Sequence, residues 1–148
     1  VRVILQKVTR GSVSADNRIL GEIGIGYVLL VGVKDGDTQE DADYLVKKIS
    51  KLRVFEDTEG KMNLDIHQVD GSVLSISQFT LLANTKKGNR PSFTSSAKPD
   101  EALFLYNYFN QGLRQHGLSV AEGKFGAHMT VAIENDGPVT IIFDTDHK

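Results

Sequence analysis

Apolar positions near the start of the chain follow a strand rhythm. Val1, Val3, Ile4 and Leu5 lead a β-rich run over Val1 to Val8, and Ser12 to Ile19 and Gly26 to Val33 supply two more. Gly-containing turns separate them, so three strands are expected to open the fold. The period then changes. Ala42, Leu45, Val46, Ile49 and Leu52 recur at helical spacing on one face, and Thr38 stands three residues before Asp41, the spacing of a capping box. The same helix turns Lys47, Lys48 and Lys51 away from most of its apolar stripe. Leu52 to Phe55 is read as a short strand before a polar turn over Glu56 to Gly60, and Asp70-Gly71 introduces a long strand over Ser72 to Ala83.

A second helix is announced by Pro99, suited to a first helical turn, with Asp100 and Glu101 where the helix dipole favours acids. Ala102, Leu105, Tyr106, Phe109 and Leu113 form its buried stripe, and Gly117 after His116 predicts its end. Ala127, Met129, Val131 and Ile133 alternate with His128, Thr130, Ala132 and Glu134, a half-buried strand. Asn135-Asp136-Gly137-Pro138 interrupts it as a hairpin signal, Val139 to Phe143 closes the sheet, and Asp144 to Lys148 reads as a polar tail. The expected fold is α/β: one domain over 1–148, with about seven strands in two layered, mainly antiparallel or mixed sheets and two helices on one face.

Composition narrows the class. A chain of 148 residues with 40% hydrophobic and 24% charged residues is long enough for one core that needs no staples. No apolar run approaches the ~20 residues of a membrane span, which argues against a membrane partner. There is no Cys, hence no disulfide framework or thiolate chemistry, and a cytoplasmic protein is the expectation. The net charge of -2 conceals an uneven distribution. Tyr44 to Phe55 carries Lys47, Lys48, Lys51 and Arg53 with no acid, and Asn84 to Pro99 carries Lys86, Lys87, Arg90 and Lys98 with no acid. These are two local positive fields in an otherwise acidic chain, read either as solvated surface or as seats for an anionic partner.

Several chemistries fall away. The four His are scattered without metal-ligand spacing, and neither metal nor cofactor is expected. Gly21-Glu22-Ile23-Gly24-Ile25-Gly26 lacks the order of a dinucleotide fingerprint and leads into a β-rich run, so it is read as a turn between strands. No phosphate-cradling lysine loop or serine-hydrolase elbow is present. What remains is Ser77-Gln78-Phe79-Thr80, polar inside a strand otherwise apolar enough to be central. In that strand Leu74, Ile76, Gln78, Thr80 and Leu82 share one face, opposite Ser75, Ser77, Phe79 and Leu81. A buried Gln or Ser left unpaired costs roughly 1–3 kcal/mol, so either neighbouring backbone or a ligand must satisfy it. Pro138 is also out of place for a plain turn, since it cannot donate to a ladder where a strand is about to begin, while Gly137 permits close approach of another body.

Taken in order, Ser77-Gln78-Phe79-Thr80-Leu81, Asn89-Arg90-Pro91-Ser92-Phe93 and Asn135-Asp136-Gly137-Pro138-Val139-Thr140 closely resemble the D-aminoacyl-tRNA (D-tyrosyl-tRNA) deacylases. Gln6-Lys7-Val8, Glu59-Gly60-Lys61-Met62-Asn63 and Pro99-Asp100 fall in the same family order, and the match spans the chain. The resemblance implies a homodimer with a pocket for the tRNA 3′ end near the interface, where a cis Gly137-Pro138 from one subunit reaches into the site of the other. Lys7 departs from the family's usual Arg, and a point charge would hold that loop less directionally than a planar fork. Related deacylases with a trans Gly-Pro lack Ser-Gln-Phe-Thr, which disfavours that reading.

The implied substrates are D-aminoacyl-tRNA and glycyl-tRNA, with no role for DNA. Hydrolysing their activated ester needs a positioned water and donors for the developing oxyanion. Backbone N–H groups near Phe79 and Thr80 are the candidate donors, with Gln78 or Ser77 fixing the 3′ end. Thr80 is expected to position, because no base in the motif stands ready to activate it, and the ribose hydroxyl of the tRNA would then assist the water. Gly137 and Pro138, held against the substrate α-carbon, would collide with an L side chain and leave a D side chain in open space. Phe125 and Met129 are candidates to pack on the terminal adenine, with core packing the alternative. Lys86, Lys87 and Arg90 are the candidate contacts to the tRNA backbone. The competing readings are a non-catalytic tRNA- or RNA-binding domain and a small-molecule esterase.

Overall fold

The computed structural model describes residues 1–148. The chain opens on β1 (Arg2–Ala15), β2 (Arg18–Ile23) and β3 (Gly26–Gly32), followed by α1 (Gln39–Lys51). Next come β4 (Phe55–Glu56), β5 (Met62–Leu64), β6 (Ser72–Ser77) and a 3-10 turn over Phe79–Leu82. Then follow α2 (Pro99–Gln115), β7 (Val120–Glu122), β8 (Thr130–Asp144) and a final 3-10 turn over Thr145–His147. Six strands form one mixed sheet in the order β2-β1-β3-β6-β7, with β8 on the other side of β1, while β4 and β5 make a separate ribbon. Pairing is antiparallel around β1 and parallel from β3 through β6 to β7. The fold class read from the sequence holds, with eight strands. No helix is long and apolar enough to cross a membrane.

The helix ends follow local chemistry. Thr38 caps α1, its hydroxyl accepting from the Asp41 N–H while the Asp41 carboxylate accepts from the Thr38 N–H. Pro99 occupies the first turn of α2, and Gly117 takes a left-handed φ of 84° just past its end. Both helices cover one face of the sheet. There Val3, Leu5, Tyr27, Leu29, Val31 and Val73 meet Ala42, Leu45, Val46 and Ile49 of α1 and Leu105, Tyr106, Phe109 and Leu113 of α2. Each large side chain fully buried in this layer is worth roughly 1.5–3 kcal/mol. The opposite face carries a smaller cluster of Val8, Val13, Ile23, Val28, Leu74 and Ile76, edged by half-buried Met129, Val131 and Ile133. No helix covers it.

Four readings of the pattern are corrected. The two opening runs form one 14-residue strand, β1, because the chain reverses at Asp16-Asn17, both at positive φ, rather than between residues 8 and 12. The Gly21-to-Gly26 turn shrinks to Gly24-Ile25, since Gly21 to Ile23 pair with β1. The long strand stops at Ser77. Beyond it the last ladder bond runs from the Gln78 N–H to the Val31 carbonyl, 2.8 Å, and with β3 ending at Gly32 the chain closes on itself as the 3-10 turn. The alternation of faces therefore does not continue through Phe79 to Leu82. Finally, Asn135-Asp136-Gly137-Pro138 is not a hairpin. Both halves of β8 pair with the same strand, Gly11 to Ile133 on one side and Gln6 to Thr140 on the other, and the four residues Asp136 to Val139 bulge between them. The tail is also more ordered than its polarity suggests, since Thr145 is buried and the Asp144 side chain caps the last turn.

Candidate active site

At the C-terminal ends of the parallel strands β3 and β6 the sheet opens into a cavity of about 780 Å³. Its walls are Val31 at the end of β3 and Val33 just past it, Ile76 to Thr80 from β6 and its turn, Phe93, Ser96 and Ala97 before α2 with Pro99 and Ala102 at its start, and Phe125 to Met129 with Val131 before and within β8. No Asp, Glu, Lys or Arg lines it. Ligand clefts sit at this end of parallel strands because chains diverge there and leave a crevice.

The Ser77-Gln78-Phe79-Thr80 segment is one wall. In a 3-10 turn the first N–H with an internal acceptor is the third, here Leu81 to the Gln78 carbonyl at 3.3 Å. The N–H groups of Phe79 and Thr80 precede it and have no partner within the turn, so two donors stand side by side at the cavity. Gly32 makes this possible. A Cβ there would lie 3.2 Å from both the Gln78 carbonyl oxygen and the Leu81 Cβ, so any larger residue presses on the turn. The Gln78 amide donates to the Thr80 hydroxyl at 3.1 Å, which fixes both side chains relative to the two N–H groups. No acid or base contacts Thr80 Oγ1. Phe79 is 57% exposed and stacks edge-on against Phe93, 5.0 Å between centroids.

Phe125 and Met129, read as pocket residues, are brought to the opposite wall. Both also pack within the fold. Phe125 packs on Tyr106 of the core at 6.2 Å, and the Met129 sulfur accepts from the Lys124 N–H at 3.3 Å, closing the loop that carries Phe125. Tyr106 is itself held by donating to the Ser75 carbonyl at 2.7 Å, and burial pushes its phenol above the ordinary range, so it stays a neutral donor. Two lining residues carried no signal in the sequence. His128 arrives because the loop before β8 folds over the cavity, and the buried Ser96 hydroxyl has no hydrogen-bond partner.

Gly137 and Pro138 do not line this cavity. Their peptide bond is cis, and both residues are exposed on the bulge of β8. The Asn135 side chain holds that bulge, accepting from the Val139 N–H at 2.7 Å and donating to the Val139 carbonyl at 3.2 Å and the Thr140 hydroxyl at 3.1 Å. Lys7 supports it from below. Its ammonium is buried over the Phe55 ring, 5.6 Å from the centroid, and reaches the Asp136 carboxylate at 3.4 Å. Lys7 pairs with Tyr27, four residues along β3 from Val31 at the cavity, which is about 13 Å at strand spacing. The bulge thus lies well apart from the cavity of its own chain. Lys86, Lys87 and Arg90 are exposed on the loop between the 3-10 turn and α2, which Asn84 and Ser92 bridge at its base.

A family model described as D-Tyr-tRNA(Tyr) deacylase matches residues 4–144. A D-aminoacyl-tRNA deacylase of Bifidobacterium adolescentis is 58% identical over 99% of this chain and 98% of its own length. One from Bifidobacterium animalis subsp. lactis is 55% identical with the same coverage. Among solved structures, a c-Myc DNA unwinding element binding protein superposes with a TM-score of 0.90 at 39% identity, covering 97% of this chain and 98% of that one. A probable eukaryotic D-amino acid tRNA deacylase, 20% identical, covers 96% and 97% with a TM-score of 0.82 and speaks for the fold alone. With a match across nearly all its length, this chain belongs to the D-Tyr-tRNA(Tyr) deacylase family.

Proposed function

We propose that the protein hydrolyses the ester bond of D-aminoacyl-tRNA, and of glycyl-tRNA, releasing amino acid and tRNA. The observation that carries this reading is the pair of uncommitted N–H donors at Phe79 and Thr80, at the rim of a cavity without charged groups. An activated ester needs little more. Two aligned donors stabilise the oxyanion as the carbonyl carbon becomes tetrahedral, and such donors are worth roughly 3–4 kcal/mol each in a water-poor site. Thr80 is committed to Gln78 and has no base beside it, so it positions the ester rather than attacking it. The proton of the attacking water passes to the adjacent ribose hydroxyl of the substrate, which gives its own proton to the ribose oxygen as the ester C–O bond breaks, so the water oxygen stays on the amino acid and the tRNA leaves with a free hydroxyl. Phe125 and Met129 face the terminal adenine, and Ser77 and Gln78 hold the 3′ end.

Nothing in this cavity reads the hand of an amino acid, and the element suited to do so is exposed and lies outside the cavity of its own chain. In the working assembly a second copy supplies it. Gly137 and Pro138 of that copy sit against the substrate α-carbon, rejecting an L side chain and ignoring a D side chain or a hydrogen. Homodimerisation is supported by the uncovered sheet face and by Ile142, 68% exposed on β8 beside half-buried Ile141 and Phe143. Lys86, Lys87 and Arg90, near the cavity mouth through Phe93, contact the tRNA backbone. Incubation with D-tyrosyl-tRNA and L-tyrosyl-tRNA tests the reading. Loss of the D ester alone is expected. Persistence of both esters with tRNA binding intact would make the protein a binding domain, and loss of both would overturn the chiral filter.

A further inference from the structure

The cations of the helix layer gather at the end of α1 remote from the cavity. Tyr44, Lys47, Lys48, Lys51, Leu52 and Arg53 line a groove of about 510 Å³. None of its four cations lies within salt-bridge distance of a carboxylate. Six of the 17 Lys and Arg side chains of the chain form salt bridges, and the four gathered here are not among them. The helix dipole favours Lys48 and Lys51 in the last turn, but it accounts for neither Lys47 nor Arg53, which lies past the helix end.

The groove is also ordered. Arg53 donates through Nε to the Asn63 carbonyl at 2.9 Å and through a terminal nitrogen to the Asn63 side chain, so its guanidinium is fixed with donors to spare. The Tyr44 ring is flanked by Lys48 at 5.9 Å and Lys148 at 4.8 Å, which holds a flat surface at the groove wall. Cations without carboxylate partners around a shallow groove, one of them a held guanidinium, suit phosphate oxygens, since each bound phosphate relieves the mutual repulsion of the lysines and releases its counterions.

The two helices are parallel, with Tyr108 bonded to Asp43 and Gly112 against Val46, so the groove lies level with the C-terminal end of α2. The cavity lies at the other end, by Pro99 and Ala102. The separation is about 20 Å, the length of a helix such as α1. A ligand seated by its 3′ end in the cavity would have to be long and polyanionic to reach the groove. We infer that the α1 groove is a second, sequence-independent phosphate site, which takes the ribose-phosphate backbone of the body of a tRNA whose 3′ end occupies the cavity. This inference rests on the deacylase reading above.

The test compares the full-length protein with a Lys47→Ala, Lys48→Ala, Lys51→Ala variant, whose exposed changes raise helix propensity and leave the core untouched. Two substrates are used: D-tyrosyl-tRNA, and a short D-tyrosylated oligoribonucleotide carrying only the acceptor 3′ end. The variant should lose about tenfold or more in kcat/KM on the tRNA at low salt, through KM, and keep its rate on the oligonucleotide. Binding of uncharged tRNA, read separately, should show a salt slope flatter by about two to three units, near one per lysine removed. Equal affinity and slope in variant and parent would overturn the inference, as would an equal loss on the short substrate. Inorganic pyrophosphate that binds the parent but not the variant, with tRNA binding unchanged, would reassign the groove to small polyphosphates and overturn its role for tRNA. Failure of the deacylase reading looks different, because the parent would then cleave neither substrate while the binding comparison is still read.

Discussion

Asn135 is the residue on which the shape of the β8 bulge depends most, and Asn135→Ala separates shape from chemistry. Its side chain makes three hydrogen bonds across the bulge, the shortest at 2.7 Å from the Val139 N–H. A net hydrogen bond contributes roughly 0.5–1.5 kcal/mol, and because Asn135 is half-buried the lower part of that range applies. Losing all three therefore removes about 1.5 kcal/mol of preference for the held loop, or close to tenfold in its population relative to looser ones. Neither the cavity walls nor the N–H groups of Phe79 and Thr80 are touched. Under single-turnover conditions, the ratio of rates on D-tyrosyl- and L-tyrosyl-tRNA should fall about tenfold. The D rate itself should change less than about threefold. Asn135→Asp keeps an oxygen to accept from Val139 but cannot donate to its carbonyl, so its ratio should lie between. An unchanged ratio in Asn135→Ala, with the fold intact by denaturant titration, would refute the assignment of chiral selection to this loop.

Thr80→Ala should retain deacylation within about tenfold, since the hydroxyl accepts from Gln78 and has no base; complete loss at unchanged tRNA affinity would make Thr80 the nucleophile. Changing Lys86, Lys87 and Arg90 together to Ala should flatten the salt slope of tRNA binding by about two to three units, and an unchanged slope would return them to plain solvated surface. Gly26→Ala should destabilise by about 4 kcal/mol or more in urea titration, because its φ of 152° and a Cβ placed 1.7 Å from the Ser72 carbonyl oxygen leave no room for relaxation.

The helices were legible because their signals are local. Thr38 and Asp41 satisfy each other, and Pro99 and Gly117 act at the positions their backbones favour. The segment from Ser77 to Leu82 was legible as chemistry but not as shape. Whether Phe79 to Leu82 extends or coils depends on where β3 ends, a fact stored some fifty residues earlier in the chain. Asn135 to Pro138 has every local mark of a turn, and only the pairing of both its flanks with β1 shows that the strand resumes. Lys7 did carry a positional signal, since it shares the parity of Val3 and Leu5, the inward face of β1. Its partners, Asp136 and Phe55, come from distant segments. The three-residue strands β5 and β7 are held by their neighbours, and such short pieces leave no period to read.

The proposed filter works by exclusion, with no contact that recognises a D side chain. Glycine tests it most directly, because it has neither an L side chain to reject nor a D side chain to bind. Single-turnover rates on glycyl-, D-alanyl- and L-alanyl-tRNA should place glycyl-tRNA with the D substrate and leave the L substrate intact. A site built on positive contacts would lose roughly 1–3 kcal/mol for each missing hydrophobic group and slow on glycine accordingly. Glycyl-tRNA as resistant as L-alanyl-tRNA would contradict the exclusion mechanism and the role of Gly137 and Pro138 within it.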